Sequence, residues 1–539
     1  MHRRTLLAAV PLLAAMPAQA QAQAQVQAQA QTQPGGLTVT WGEDDNAART
    51  YDPRVTQSRH ESQLIVQVFD TLIASDGDNS LHPGLASAWS AAPDGSSITL
   101  RLREDVTFHD GSRFDAEAVK FTFDTVADPK TGSQGAVDVL GPYAGCDVLG
   151  PFEVRVKYSR PNGAAAASLS QNELSIVSPT AVRRLGDAGF ARAPVGTGPF
   201  RFVSWEPGRQ VVLERNEAYR WAPPFMACQG PSKVARVIHR FIPDASTRVA
   251  ALEAGEIDIA DLTPVLDVQR LGADKRYKTA VYEATGLPFG VLINTSRGIF
   301  QDLRVRQALA HAVDRARLSD DMFFGLVKPA YGPLSRSTPG YWPGVEAFYK
   351  PDPKRAVALL EEAGWMPGPG GIRVKDGKPL AADYFAPPPL EPDTAVAIQA
   401  EARRVGFDLH VETITFARNS ELVFANAYDI LPVRWISADP SLLEIPFHSR
   451  NIPRPGYYKF NWPRVSDPQL DALLEKGAGA PDPVERNRLY AEAQKRIMES
   501  AVWFPVHDQV QTLAWRAEKS GYRAARTRWL VRFHDVGSA

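Results

Sequence analysis

Two segments of this chain, STRVAALEAGEIDIAD (246–261) and IQAEARRVGFDLHVETI (398–414), follow one plan. In each, a helical run of apolar residues stops at a glycine, Gly255 or Gly406, and gives way to alternating polar and apolar positions. A glycine there supplies the left-handed cap that ends a helix, and a period of two belongs to a half-buried strand. Such units recur along the chain without a repeat of fixed length, so the fold class is α/β.

The same alternation appears elsewhere. Leu64, Val68 and Leu72 stack at four-residue steps, as do Val119, Phe123 and Val126 behind the N-cap candidate Asp115. Between them, Ile98, Leu100 and Leu102 alternate with polar residues as in a strand with one buried face. Asp352-Pro353, Asp467-Pro468 and Asp482-Pro483 each set a capping acid before a proline suited to a first helical turn. RVRQALAHAVDRARL stacks Val305, Leu309 and either Ala312 or Val313 on one face with arginines on the other, and places His311 as a packed or capping residue.

At 539 residues the chain is too long for one compact core, so two or three domains are expected. A formal net charge of −1 gives no overall field to gather nucleic acid or anionic lipid. MHRRTLLAAVPLLAAMPAQA joins a basic start, an apolar stretch and Ala18-Gln19-Ala20, the parts of a cleavable export signal with cleavage expected after Ala20. Arg3-Arg4 suits a twin-arginine route as well as the Sec route. The Gln/Ala-rich residues 21–36 have no apolar stripe and read as a disordered tether. No later run reaches the roughly 18 apolar residues that span a bilayer, so a periplasmic protein is expected. Cys146 and Cys228, the two cysteines, fit no metal motif; a disulfide between them and two separate buried thiols are both open.

Several blocks, in order, resemble the extracytoplasmic solute-binding proteins of peptide and nickel ABC importers, solute-binding family 5. They are FDTLIASDGDNSLHPGLASAWSAAPDGSSITLRLREDVTFHDGSRFDAEAVKFTFD (69–124), PVGTGPFRFVSWEPGRQVVLERNEAYRW (194–221), ALEAGEIDIAD (251–261), INTSRGIFQDLRVRQALAHAVDRARL (293–318), DPKRAVALLEEAGW (352–365) and VRWISADPSLLEIPFHS (433–449). Read physically, Gly196 and Gly198 in PVGTGPF permit a tight turn before a strand and form no phosphate loop. The resemblance implies a two-lobed periplasmic-binding-protein fold, type II-like, with an extra subdomain inserted in lobe I. Lobe I is then 37–56, 194–288 and 505–539, the insert 57–193 and lobe II 289–504, with crossings near 288 and 505. It also implies a monomer that holds a peptide-like, modified amino-acid or chelate compound between the lobes and delivers it to ABC permease subunits. No cofactor or resident metal is implied.

Peptide-binding relatives take the ligand's α-ammonium on an Asp three residues after a Trp, with a separate Asp-Pro following. Here Asp439-Pro440 stands four residues after Trp435 and holds the one aspartate of the segment, so Asp439 is either a turn acid or serves both roles. Dipeptide-binding relatives carry an Arg in the region matching 384–395, where this chain has none. Trp435 offers an apolar wall that can also stack on a cation, and Arg434 and Arg297 can pair with a carboxylate. Trp41, Asn294, Tyr331 and Tyr457 lie in segments expected to reach the cleft. His448, just downstream, lacks a second ligand at metal spacing. A secreted enzyme would show a nucleophile elbow, a zinc motif or a P-loop, and none is present; a carrier or sensor outside transport is the other alternative.

Overall fold

The computed structural model describes residues 36–44, 48–56, 58–387, 392–519, 521–525 and 530–537; the export signal and its Ala20 site lie outside these, as does nearly all of the Gln/Ala tract. The helix-then-glycine units form as the sequence dictates. Helix Ala245–Ala254 ends at Gly255 in the left-handed conformation, and Gly406 likewise has positive φ. All three Asp-Pro pairs cap helices, at Pro353–Glu362, Pro468–Gly479 and Pro483–Ser500.

These units assemble into two sheet-bearing lobes. Lobe I has seven strands in the order Tyr277–Glu283, Val510–Arg516, Ile259–Asp261, Leu37–Glu43, Val234–Phe241, Gln210–Arg215 and Phe200–Glu206. Leu37–Glu43 runs parallel to both its neighbours. Lobe II has five, in the order Asp408–Thr413, Ala381–Ala386, Ile430–Ile436, Gly286–Ile293 and Trp503–His507, the first three mutually parallel. A third core surrounds the antiparallel sheet Ala86–Ala91, Ser97–Leu102, Glu153–Tyr158 and Tyr143–Gly150.

Sheet membership moves the boundaries. Strand Gly286–Ile293 pairs within lobe II, as does Trp503–His507, so the chain changes lobes at Ala284–Thr285 and Asp508–Gln509 rather than near 288 and 505. The continuous part of the inserted core runs from Leu72 to Ile176, narrower than 57–193, because Leu64, Ile65 and Val68 before it and Val177, Ala181 and Phe190 after it pack into lobe I; Tyr219, Trp221, Ala222 and Met226 return to join the inserted core. Helix Arg59–Val68 also stops short of Leu72. Gly196 and Gly198 explain the stop: neither has positive φ, and a Cβ on Gly198 would lie 2.6 Å from the Val68 carbonyl carbon. They are glycines because strand and helix end touch there, not because a turn demands it. On helix Leu303–Ala312, Arg306 is buried, donating to the carbonyls of Phe300, Gln301 and Ser500, so that face is only partly solvated.

A strap from lobe II stiffens the crossings. The hydroxyls of Ser335 and Ser337 donate to the Ala284 carbonyl at 2.9 and 2.8 Å, and the Gly286 N–H donates to Thr338 Oγ1 at 2.7 Å. Lobe II also touches the insert, where the Gly163 N–H donates to the Ala478 carbonyl at 2.9 Å.

Candidate functional site

In open α/β sheets a ligand sits beyond the carboxyl ends of the parallel strands. Both lobes turn those ends toward the crossings. In lobe I, Asp261 stands opposite Leu513 and Glu283 opposite Val510, so the strand ends at Glu43 and Asp261 share an edge with Asp508–Gln509. In lobe II, Ile436 stands opposite Gly286. The candidate site is the space between these two poles.

The lobe II pole is aromatic. Trp435 is half-buried and meets Phe460 edge-on at 5.4 Å; Phe460 in turn packs on Tyr458 at 5.5 Å and Trp462 at 5.7 Å. The Trp435 carbonyl accepts from Gln509 Nε2 at 3.2 Å, tying the wall to the second crossing. Arg434, half-buried, precedes it on the same strand end. Tyr331 follows Ala330, whose N–H bonds the Val506 carbonyl, and its ring lies between the guanidiniums of Arg315 and Arg336 at 5.0 and 5.1 Å. Tyr457 sits on the loop that carries Phe460, its ring flanked by Arg454 and Lys459 at 4.7 and 5.5 Å.

Asp439 has its partners within the chain. Oδ1 accepts from the Ser441 N–H at 2.9 Å, capping the short helix Pro440–Leu443, and the two oxygens take a bidentate pair from Arg486 at 2.7 and 2.9 Å. Burial alone would raise its carboxyl; the Arg486 guanidinium more than reverses this and holds it below the usual carboxylate range.

The lobe I pole carries residues that the sequence reading missed. Glu43, buried at its strand end, takes His239 Nδ1 at 3.4 Å and His60 Nδ1 at 3.6 Å, and His60 also lies 3.5 Å from Asp44. Burial opposes ionisation of Glu43, yet the two imidazoles bring its carboxyl down to about 2. At the second crossing Asp508 is buried, with Arg336 at 3.5 Å. Burial, aided by Glu283 and resisted by Arg336, His507 and Lys328, pushes its carboxyl up to about 7. A signal for Glu43 existed in the acids that follow LTVTWG; Asp508 and Arg486 had none short of the strand order.

Three expected site residues stand elsewhere. Trp41 is fully buried against Phe533 in the lobe I core, because its position in the strand points it into the packed layer. Asn294 and Arg297 follow strand Gly286–Ile293, which runs antiparallel to Ile430–Ile436 and so carries them to the opposite pole. There Asn294 donates to Asn426 Oδ1 and the Tyr428 carbonyl, and Arg297 lies 3.6 Å from Asp429. Of the two readings left open for Cys146 and Cys228, the structure has them as separate thiols; Cys146 is buried in strand Tyr143–Gly150 and burial raises its thiol to about 12, while the Cys228 thiol faces the Gly230 and Pro231 carbonyls. His448 is buried against Asp471 and Glu475. No group of three or more metal-ligating side chains is arranged to hold an ion among the described residues.

Residues 80–451 match the model of the bacterial extracellular solute-binding proteins, family 5. The chain belongs to this family. Protein XP55 of Streptomyces lividans is 30% identical over 449 residues, 80% of this chain and 77% of the relative. The nickel-binding periplasmic protein of Escherichia coli K12 is 26% identical over 460 residues, covering 83% and 84% of the two chains. Among solved structures, NikA from Brucella suis in complex with Fe(III)-EDTA superposes with a TM-score of 0.83 at 26% identity, covering 93% of this chain and 99% of that one. As a member of the family the protein is a bacterial extracellular solute-binding protein. No helix among the described residues is long and apolar enough to cross a membrane.

Proposed function

We propose that the ligand captured between the two poles is a carboxylate-rich compound without a free α-ammonium group, such as a metal chelate or an N-substituted amino acid. The observation that carries this reading is the state of the acids. Asp439 is bound by Arg486, Glu43 by His239 and His60, and Asp261 accepts from Gln511 and the Leu262 N–H. At any of these three acids a ligand ammonium would have to displace the partner already there, at the cost of leaving another charge or donor unpaired. The half-buried Trp435 wall with Arg434 beside it suits an apolar body bearing carboxylates. Supporting this, the Brucella suis neighbour holds Fe(III)-EDTA, a polycarboxylate chelate. Tyr331 and Tyr457, each between two cations, are proposed as the rims of the same site.

The family consists of binding proteins rather than enzymes. In this reading one ligand is bound per chain and released unchanged, after export to the periplasm with cleavage following Ala20. A thermal-shift panel tests the ligand class. Ferric EDTA or an N-carboxyalkyl amino acid should stabilise the protein by about 2.7 kcal/mol at a hundredfold excess over its dissociation constant. Tighter binding of oligopeptides with free amino termini would overturn the proposal.

A further inference from the structure

A line of contacts runs from Asp439 to the place where lobe II meets the inserted subdomain. The Arg486 guanidinium that grips Asp439 also donates through Nε to the Gly477 carbonyl at 3.1 Å. The same guanidinium lies over the Tyr490 ring at 5.3 Å, and Gly477 sits so close to that ring that a Cβ would be 3.0 Å from it. Asp439, Arg486 and Tyr490 therefore fix the end of helix Pro468–Gly479 and the turn after it.

That turn is lobe II's side of the seam. Gly163, between strand Glu153–Tyr158 and helix Ala165–Ser168 of the insert, bonds the Ala478 carbonyl, and a Cβ on it would stand 2.1 Å from the Ala480 carbonyl oxygen. Gly163 does not have positive φ, so its own backbone tolerates a side chain and the seam alone does not. A Cβ on Gly479 would lie 3.3 Å from Pro161. Beside this contact is a crevice of about 580 Å³, bordered by Arg160 and Pro161 from the insert and by Arg450, Glu475, Lys476 and Glu485 from lobe II. Contacts this close form only when the 477–480 turn holds its position.

We propose that Asp439 is a positioning residue for lobe closure: through Arg486 it presents the 477–480 turn to Gly163, and so raises ligand affinity without touching the ligand. Among the described residues the backbone passes between the lobes at Ala284–Thr285 and Asp508–Gln509, so opening about those crossings pulls the seam apart. A contact made only in the closed state adds to the affinity of any ligand that binds that state. The proposal rests on capture between the lobes but not on the ligand class.

The test uses the full mature chain with Gly163→Ala, Asp439→Asn, Arg486→Gln and the Gly163→Ala/Asp439→Asn double variant. Hydrogen exchange of the peptide holding the Gly163 amide, with and without ferric EDTA, reads the seam directly. Asp439→Asn and Arg486→Gln should each speed that exchange at least tenfold. Calorimetric titration with ferric EDTA should show at least a tenfold affinity loss in each single variant and no further loss in the double variant. Unaltered exchange at Gly163 in Asp439→Asn would overturn the proposal, as would additive affinity losses, which mark a direct ligand contact. Failure of wild-type protein to bind ferric EDTA would count against the ligand class, while the exchange comparison without ligand would still decide the role of Asp439.

Discussion

The two poles of the lobe II sheet use similar residue types to opposite ends. At the pole facing the crossings, Trp435 and Phe460 form a half-buried wall, Arg434 lies beside them, and Asp508 is buried with a carboxyl shifted to about 7. At the far pole, Asn294 is fully buried and bonds Asn426, Tyr428 and Ser296, while Arg297 lies by Asp429. Strand direction separates them. Ile430–Ile436 delivers its carboxyl end to the cleft, and the antiparallel Gly286–Ile293 delivers its own away from it. A polar residue after a strand is thus a ligand candidate or a structural tie according to which way that strand runs.

The largest expected difference is in pH response at the cleft pole. Asp508 has a folded pKa above its unfolded value, so the native state takes up a proton between about pH 4 and 7. Stability should fall as pH rises through that window and stay lowered above it. The contribution is roughly 4 kcal/mol. Chemical denaturation from pH 4 to 8 should show Asp508→Asn free of this loss; parallel curves for the two proteins would remove Asp508 as its source.

Next comes the far pole. Asn294→Ala should cost about 3 kcal/mol by stranding buried partners at Asn426 and Tyr428, with ligand affinity unchanged. A loss of affinity without loss of stability would break the contrast between the poles.

Trp435→Ala should do the reverse. Loss of its apolar surface to the ligand should weaken binding by about 2 kcal/mol, roughly thirtyfold, while apo melting moves little. The smallest effect belongs to Arg297→Ala. Its 3.6 Å pair with Asp429 is over a third exposed, so less than about 1 kcal/mol of stability should go, and titration should show no change in affinity.

Local rules made much of the fold legible. Asp115, Asp352, Asp467 and Asp482 all cap the helices they announce, and the Gly255 and Gly406 stops hold. Asp439 obeys the same Asp-Pro rule. What escaped was set by pairing at a distance. Arg486 lies 47 residues from Asp439 and nothing in either segment announces the other. Asn294 and Arg297 were misplaced because periodicity identifies a strand without its direction in the sheet. Glu43 needed two histidines from separate elements, His60 and His239, before its carboxylate had a defined role.

The central claim is that the chain captures one unmodified ligand at the cleft pole. Native mass spectrometry of protein purified from the periplasm, wild type beside Trp435→Ala, tests it most directly. The account predicts one small carboxylate-rich compound per wild-type chain, recovered chemically intact and largely lost from the variant. Equal retention by both proteins, or recovery of a converted product, would contradict it.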